Sequence, residues 1–519
     1  MKISKIGLVG LLLAMAMPVS AFAVDADLQQ KIDELSRQLE LLKQQVQKNE
    51  EKTKQTEEKV EKTEVLAKQT EEKSLGRWLS IGGDYRFRID NLKGNVGTYY
   101  QFNPANPMSP TLIPAFSPSN DTLYTNRFGL NLKVKALENV QLKARLLMYK
   151  VFGSQNDDSI IGPFFADRAG VFDGTLGHVP SNSYLNVDQV YVTWSNIAEQ
   201  PIWFSVGRRP STDGAPSNLR ANTEKSGTAG VPAILTNYAY DGMTLGYAPD
   251  IDALGSPFMK LCYGRGFESG YTASGYKQNN DLRDTDMLGF QVVPYNTDDV
   301  TVTLEYNHAF NIFNTPAFIS GPNLGTYFQA PSTELGSIDW IGMDVGGKVE
   351  KLGPGNLNWF FDAAMSFTHP NSNTALPGMP IGLNYSGIRN STNGYAIYLG
   401  GRYDFSTGTK IGLEYNHGSE NWLTFAPAAD DMWTSKLGSR GNVYEAYIIQ
   451  ELSLKPISSV AAKLFFKAGY QYYQFSYTGS NNWVGGPVSM SGTPNPMNAQ
   501  FFAPVKNAQD LYGTFELQF

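Results

Sequence analysis

The sequence predicts an all-β fold, an antiparallel transmembrane β-barrel of about 16 strands, preceded by an α-helical coiled coil. Three observations carry that expectation. Segments of about ten residues alternate apolar and polar side chains, as strands with one lipid-facing side do. Short connections alternate with long Gly/Pro/Ser/Asn-rich ones, which suits periplasmic turns and extracellular loops. The chain also ends on an alternating run, Leu511-Tyr512-Gly513-Thr514-Phe515-Glu516-Leu517-Gln518-Phe519, the form of a closing barrel strand.

Residues 1–23 read as a secretory signal peptide. Lys2 and Lys5 precede an apolar run from Ile6 to Met17, Pro18 breaks it, and Ala21-Phe22-Ala23 offers a small-residue cleavage site. The run is too short to cross about 30 Å of hydrocarbon. No later apolar stretch approaches a transmembrane helix, so any membrane crossing must use strands.

Residues 24–75 read as a periplasmic coiled coil. The stretch contains no Gly, Pro, Phe, Tyr or Trp, and its seam runs Leu28, Ile32, Leu35, Leu39, Leu42, Val46. It continues through Asn49, Thr53, Thr56, Val60, Thr63, Ala67 and Thr70. Unbroken spacing of 3 and 4 is the pattern of a left-handed supercoil. The apolar first half supplies association energy, whereas Asn49 and the threonines weaken it and help set register. A single solvated helix held by i, i+4 ion pairs is the other reading. Either form would reach about 70 Å, as a trimerising stalk or as a projection into the periplasm.

Residues 76–519 read as the barrel. From Leu79 to Ile89 one face carries Leu, Ile, Gly, Tyr, Phe and Ile, and the other Ser, Gly, Asp, Arg and Arg. Phe128 to Val134, Val140 to Leu146 and Val460 to Ala468 repeat the pattern. Weaker candidates are 187–194, 201–209, 238–248, 257–265, 285–294, 300–310, 338–351, 357–368, 394–405, 409–418, 441–454 and 508–519. Long connections are expected near 91–122, 153–185, 210–236, 314–337, 369–393 and 478–507.

Composition narrows the function. Cys262 is the lone cysteine, which excludes an internal disulfide and attached c-type haem. A formal charge of −7 argues against a nucleic-acid partner. No Gly-x-Ser-x-Gly elbow or His-Glu-x-x-His zinc motif occurs, so no catalytic, cofactor-binding or metal-binding residue is expected. His308 and His417 share an Asn-His context and either meet across the barrel or are strand-end residues. Asp157-Asp158 and Asp430-Asp431 read as solvated loop charge, with calcium binding as the sharper alternative.

The polar strand faces point the candidate pore-lining residues inward: Arg86, Arg88, Arg127, Lys133, Lys135, Lys143, Arg145, Arg208 and Arg209. Such a cationic wall favours anions. Alternatively these charges pair with Glu305, Asp344, Glu350, Glu414 or Glu516 on other walls, leaving a transverse, nearly unselective field. The stretch from Arg208 to Pro232 either folds into the pore or is an ordinary surface loop. Tyr398 and Tyr473 point inward, as a sugar track or as structural rings.

Gly82-Gly83-Asp84-Tyr85-Arg86-Phe87-Arg88, Tyr124-Thr125-Asn126-Arg127-Phe128 with Val134 to Val140, Val190-Tyr191-Val192 and Val206-Gly207-Arg208-Arg209-Pro210 resemble a porin-like outer-membrane family described as a domain of unknown function. That family has no established site residues to carry over. A coiled-coil arm before a barrel is similar to phosphate-selective porins, which implies a homotrimer, although their phosphate-binding motif has no evident match here. The expected function is an outer-membrane porin: a passive, non-enzymatic diffusion channel for small hydrophilic solutes or ions, in contact with lipid and without cofactors. Rival readings are an envelope tether acting through the coiled coil, a sleeve around a partner such as a multihaem cytochrome, and an outer-membrane hydrolase.

Overall fold

The protein is seen in a computed structural model. It describes residues 33–46, 48, 52 and 78–519, apart from 104–105, 107, 153–177, 225–231, 268, 270–281, 315–332, 377, 427 and 455–461. The chain divides into two units, Met1–Arg77 and Trp78–Phe519. In the first, residues 33–46 are helical, with Leu35, Leu39, Leu42 and Val46 exposed along one side. The signal peptide and most of the coiled-coil seam lie outside the described residues.

The second unit is a closed antiparallel barrel of sixteen strands in which each strand pairs with its sequence neighbours. The first eight are β1 (Leu79–Val96), β2 (Ser119–Leu137), β3 (Val140–Val151), β4 (Asn186–Trp194), β5 (Ile202–Ser211), β6 (Tyr238–Tyr247), β7 (Phe258–Phe267) and β8 (Thr285–Asn296). The second eight are β9 (Val300–Phe313), β10 (Glu334–Leu352), β11 (Gly355–Pro370), β12 (Asn393–Phe405), β13 (Thr409–Gly418), β14 (Gly441–Leu452), β15 (Lys463–Phe475) and β16 (Val505–Gln518). The barrel closes between β1 and β16, with Arg86 opposite Glu516 and Asp84 opposite Gln518. Phe519 completes that seam by exchanging backbone hydrogen bonds with Gly83, 2.7 and 3.0 Å long. Every edge is thereby paired, as a sheet in hydrocarbon requires.

Side-chain alternation sorts the two faces. Ile81, Val206, Leu261, Ile341, Leu413 and Phe466 stand exposed on the outside, an apolar surface suited to lipid tails and not to water. Arg86, Arg88, Asp90, Glu305, Asp362 and Glu445 are buried inside. Ion pairs on the outer face occur at the loop end of the strands, as between Arg208 and Asp241 at 2.8 Å. His308 and His369 share Asp339 on that same face, each at 2.6 Å. His417 instead contacts Asn442. The two Asn-His contexts therefore do not meet; they belong to outward strand ends on separate neighbours.

Two long connections lie outside those expected from the sequence. One joins β7 to β8, residues 268–284, and the other joins β13 to β14, residues 419–440. The second carries Trp422, Leu423, Phe425, Met432, Trp433 and Leu437, an apolar content foreign to a solvated loop. Those residues are buried because the segment folds into the barrel. Trp340, Phe360, Phe313 and Ile338 of the inner wall pack with Leu235, Trp422, Phe425 and Trp483 from the connections. On the opposite side Leu92, Tyr149 and Tyr473 enclose Met432 and Trp433. Gly94 makes room for the latter, since a β-carbon there would meet the Trp433 ring at 2.6 Å. The loop-side interior is thus an apolar plug built from connections.

Candidate functional site

Below the plug the interior is polar and holds a cavity of about 500 Å³. Its lining joins the barrel wall to the two folded-in connections. Arg86, Arg127, Arg145 and Lys467 come from strands, Arg220 from residues 212–237, and Asp430, Asp431 and Lys436 from residues 419–440. The two connections also hold each other. Asn237 N donates to Phe425 O at 2.8 Å, and Phe425 N donates to Leu235 O at 3.2 Å.

The stretch beginning at Arg208 enters the lumen after β5. It forms a short helix, Ser217–Ala221, that crosses to the far wall. There Arg402 donates to Leu219 O, Lys467 to Arg220 O at 3.2 Å, and Gln518 to Ala221 O at 3.1 Å. Arg220 reaches Asp431 at 2.8 Å and Glu445 at 3.2 Å. Glu445 is the centre of the cluster, accepting from Lys436 at 2.6 Å, Tyr512 at 2.6 Å and Gln471 at 3.0 Å. Lys436 also contacts Glu414, which accepts a further bond from Tyr398.

A second cluster latches the loop tip to β1. Arg86 grips Asp430 with both terminal nitrogens, 2.5 and 2.6 Å away, a bidentate pairing that fixes orientation as well as charge. Arg127 approaches Asp430 at 3.7 Å and Asp84 at 3.4 Å. Arg145 binds Asp84 at 2.6 Å and reaches Asp188 at 3.6 Å. Arg88 is satisfied by Asp90 and Asp510. Burial opposes ionisation of Asp430, but Arg86 and Arg127 outweigh it and hold the carboxyl well below the ordinary range. Burial likewise disfavours charged Lys436, and Glu414 and Glu445 overcome it, raising the ammonium above its usual value.

The sequence-level candidates therefore separate into three groups. Arg86, Arg88, Arg127 and Arg145 lie inside and are compensated. Their ion-pair partners among the described residues are Asp84, Asp90, Asp188, Asp430 and Asp510; of the acids expected on other walls, Glu516 stands in register opposite Arg86 and pairs with Lys467. Asp430 and Asp431 are accordingly buried partners of arginines, which corrects the solvated-loop reading. Lys133, Lys135, Lys143 and Arg209 share the inward alternation but enter no ion pair among the described residues. Arg208 points the other way. It follows Gly207 and precedes Arg209 on a strand of period two, so only one of the two arginines can face the lumen, and Arg208 pairs with outward Asp241. Tyr398 and Tyr473 are buried and bonded to Glu414 and to Thr434 O of the folded loop, as structural rings.

His178, just before β4, was not a sequence candidate as part of this lining. Its Nε2 lies 2.5 Å from Asp188 Oδ1. Burial disfavours the imidazolium, yet Asp188 and Asp213 outweigh it and raise the pKa above the usual value, with Arg145 opposing. A raised folded value gives stability that is complete below the unfolded pKa, about 6.5, and is lost as pH rises through the folded value. The protein is therefore expected to lose urea resistance as pH rises above about 6.5, whereas H178Q should show a flatter profile there. An unchanged slope in the variant would assign the dependence elsewhere.

A family model described as a protein of unknown function (DUF3373) matches residues 117–519. The chain belongs to this family. Membership covers the barrel from the start of β2 to the final residue. Among solved structures, Pseudomonas putida OprB at high pH is 11% identical over 86% of this chain and 95% of its own, with a TM-score of 0.42. The anion-selective porin from Comamonas acidovorans is 11% identical over 85% and 99%, with a TM-score of 0.40. OmpT of Vibrio cholerae, in its trimer form, is 13% identical over 85% and 99%, with a TM-score of 0.39. These likenesses are of architecture and extend to no particular residue of the DUF3373 chain. No curated protein sequence matches it.

Proposed function

We propose that this DUF3373 protein is an outer-membrane diffusion channel for small hydrophilic solutes, constricted by two inward-folded loops and biased toward anions. The observation that carries the proposal is a polar cavity of about 500 Å³ inside a closed barrel with an apolar exterior. A lipid-facing shell around a charged interior is the arrangement of an aqueous pore. The bias rests on Lys133, Lys135, Lys143 and Arg209, which, unlike the latch, enter no ion pair among the described residues. Uncompensated cations lower the local potential energy of anions in a low-dielectric enclosure. The proposal involves no catalysis, metal or cofactor.

Residues 1–23 act in it as a cleaved signal peptide, residues 24–75 as a periplasmic coiled coil, and residues 76–519 as the barrel. Exposure of Leu35, Leu39, Leu42 and Val46 in one chain supports pairing with further copies, as a homotrimer. The deciding experiment is single-channel recording in a planar bilayer with a salt gradient. Small ohmic steps with a reversal potential of anionic sign are expected. A folded, heat-modifiable barrel that passes no current would overturn the channel reading and favour a tether or sleeve.

A further inference from the structure

The cavity wall next to β4 is completed by a connection, not by a strand. His178 lines the cavity, and the residues after it follow the wall before β4 begins. Val179, Ser181 and Asn182 are buried. Ser181 N donates to Tyr149 O at 2.7 Å, and Val151 N donates to Ser181 O at 3.2 Å, so this stretch runs beside the end of β3. Beyond it Tyr184 and Leu185 are exposed.

The side chain that anchors the stretch is titratable. Three elements face the His178 ring: Asp188 of β4, Arg145 of β3 and Asp213 of the stretch after β5. Asp188 Oδ1 lies 2.5 Å from Nε2, and the two side chains are 9% and 1% exposed. The other Asp188 oxygen accepts from Gln189 at 3.2 Å and has Arg145 at 3.6 Å. Arg145 is itself engaged at 2.6 Å by Asp84 of β1. A protonated ring gives Asp188 a short, charge-assisted bond. A neutral ring leaves the enclosed carboxylate with Arg145 beyond hydrogen-bond range, which is unfavourable for a buried charge.

We propose that the His178–Asp188 pair is a pH-operated clamp holding residues 178–182 against the cavity wall. Protonated, His178 fastens the stretch and adds positive charge to the lining. Deprotonated, it gives up both, so the cavity widens and its anion bias falls. The neighbours fix the sign. Burial opposes the imidazolium, but Asp188 and Asp213 outweigh it against Arg145, so the clamped ring titrates above its ordinary value of about 6.5. The clamp is therefore complete in acid and opens as pH rises through that higher value. Only its effect on current rests on the channel reading.

The test uses the full chain in neutral detergent. It has four histidines, so the imidazole resonance lost in H178Q identifies His178, and NMR titration of that resonance gives its pKa. Hydrogen exchange of the amides of 178–185, normalised to the intrinsic rate at each pH, reads opening. In the wild type, normalised exchange should rise severalfold from acid to alkaline pH, and single-channel steps should grow over the same range. Each unit by which the ring titrates above about 6.5 corresponds to about a tenfold rise in opening, so the two measurements must agree. H178Q should be open at every pH, with flat exchange and flat step size. D188N, which keeps the imidazole but not its carboxylate, should lower the ring's pKa and likewise flatten exchange. Heat-modifiable migration verifies each fold. A wild-type ring titrating at or below about 6.5, or exchange that stays pH-dependent in H178Q, would overturn the proposal. Clamp behaviour without current would sink the channel and spare the clamp; current with flat exchange and pH-independent steps would do the reverse.

Discussion

Replacing Glu445 with alanine is expected to unfasten the luminal network at a cost of roughly 3–5 kcal/mol. Glu445 is buried and accepts from Arg220, Lys436, Gln471 and Tyr512. Its removal leaves two enclosed cations facing each other with one carboxylate fewer, which is far costlier than losing an exposed ion pair. Arg220 and Lys436 sit on different folded-in connections, so both should loosen together. The barrel ladder itself is untouched, and the variant should still migrate as a heat-modifiable barrel. Three readouts follow: a lower urea midpoint, new protease cleavage within residues 212–237 or 419–440, and larger, noisier single-channel steps. E445Q keeps the hydrogen bonds without the charge and should lie between the two. If E445A matches the wild type in all three, the network does not hold the loops.

Trp433→Ala should produce an effect of similar size by a different route. The ring is buried among Leu92, Tyr149, Val443 and Tyr473, rests on Gly94, and donates to Gln509 O at 2.9 Å. Truncating a buried aromatic side chain costs about 3–5 kcal/mol through lost burial and the cavity left behind. The loss falls on the loop tip next to Asp430 and Asp431, not on the strands. Loop 419–440 should then open more often, and conductance should rise while the Arg86–Asp430 pair alone resists. Combining W433A with D430N would remove both the apolar and the ionic latch. Their effects should exceed the sum of the single changes if they hold one element. Simple additivity would mean that tip and latch act separately.

Much of the barrel is legible in the chain because lipid outside and polar groups inside impose a period of two on each strand. Leu79 to Ile89 alternates so regularly that both faces can be assigned from the letters alone. The final strand is equally plain, ending on Phe519 where the barrel closes. The inward direction of Arg86, Arg88, Arg127 and Arg145 follows from the same period. Arg208 and Arg209 show where the reading stops. Both are cationic and adjacent, yet a strand can turn only one inward, and the weak alternation around Gly207 does not say which.

The interior arrangement was far less accessible. Trp422, Trp433, Asp430 and Asp431 occupy a stretch with no strand period, and nothing local tells such a segment that it lies within a barrel. What the sequence determines by itself is a count of about sixteen strands, the facing of those that alternate clearly, the apolar exterior and the change to heptad spacing before residue 76. Each of these is a local periodicity, set by residues within a few positions of one another. The tertiary structure decides which charges remain uncancelled. Arg86 meets Asp430 across 344 positions of chain, and Arg220 meets Glu445 across 225. Only closure of the barrel and inward folding of the loops bring those partners together, leaving Lys133, Lys143 and Arg209 outside any ion pair among the described residues.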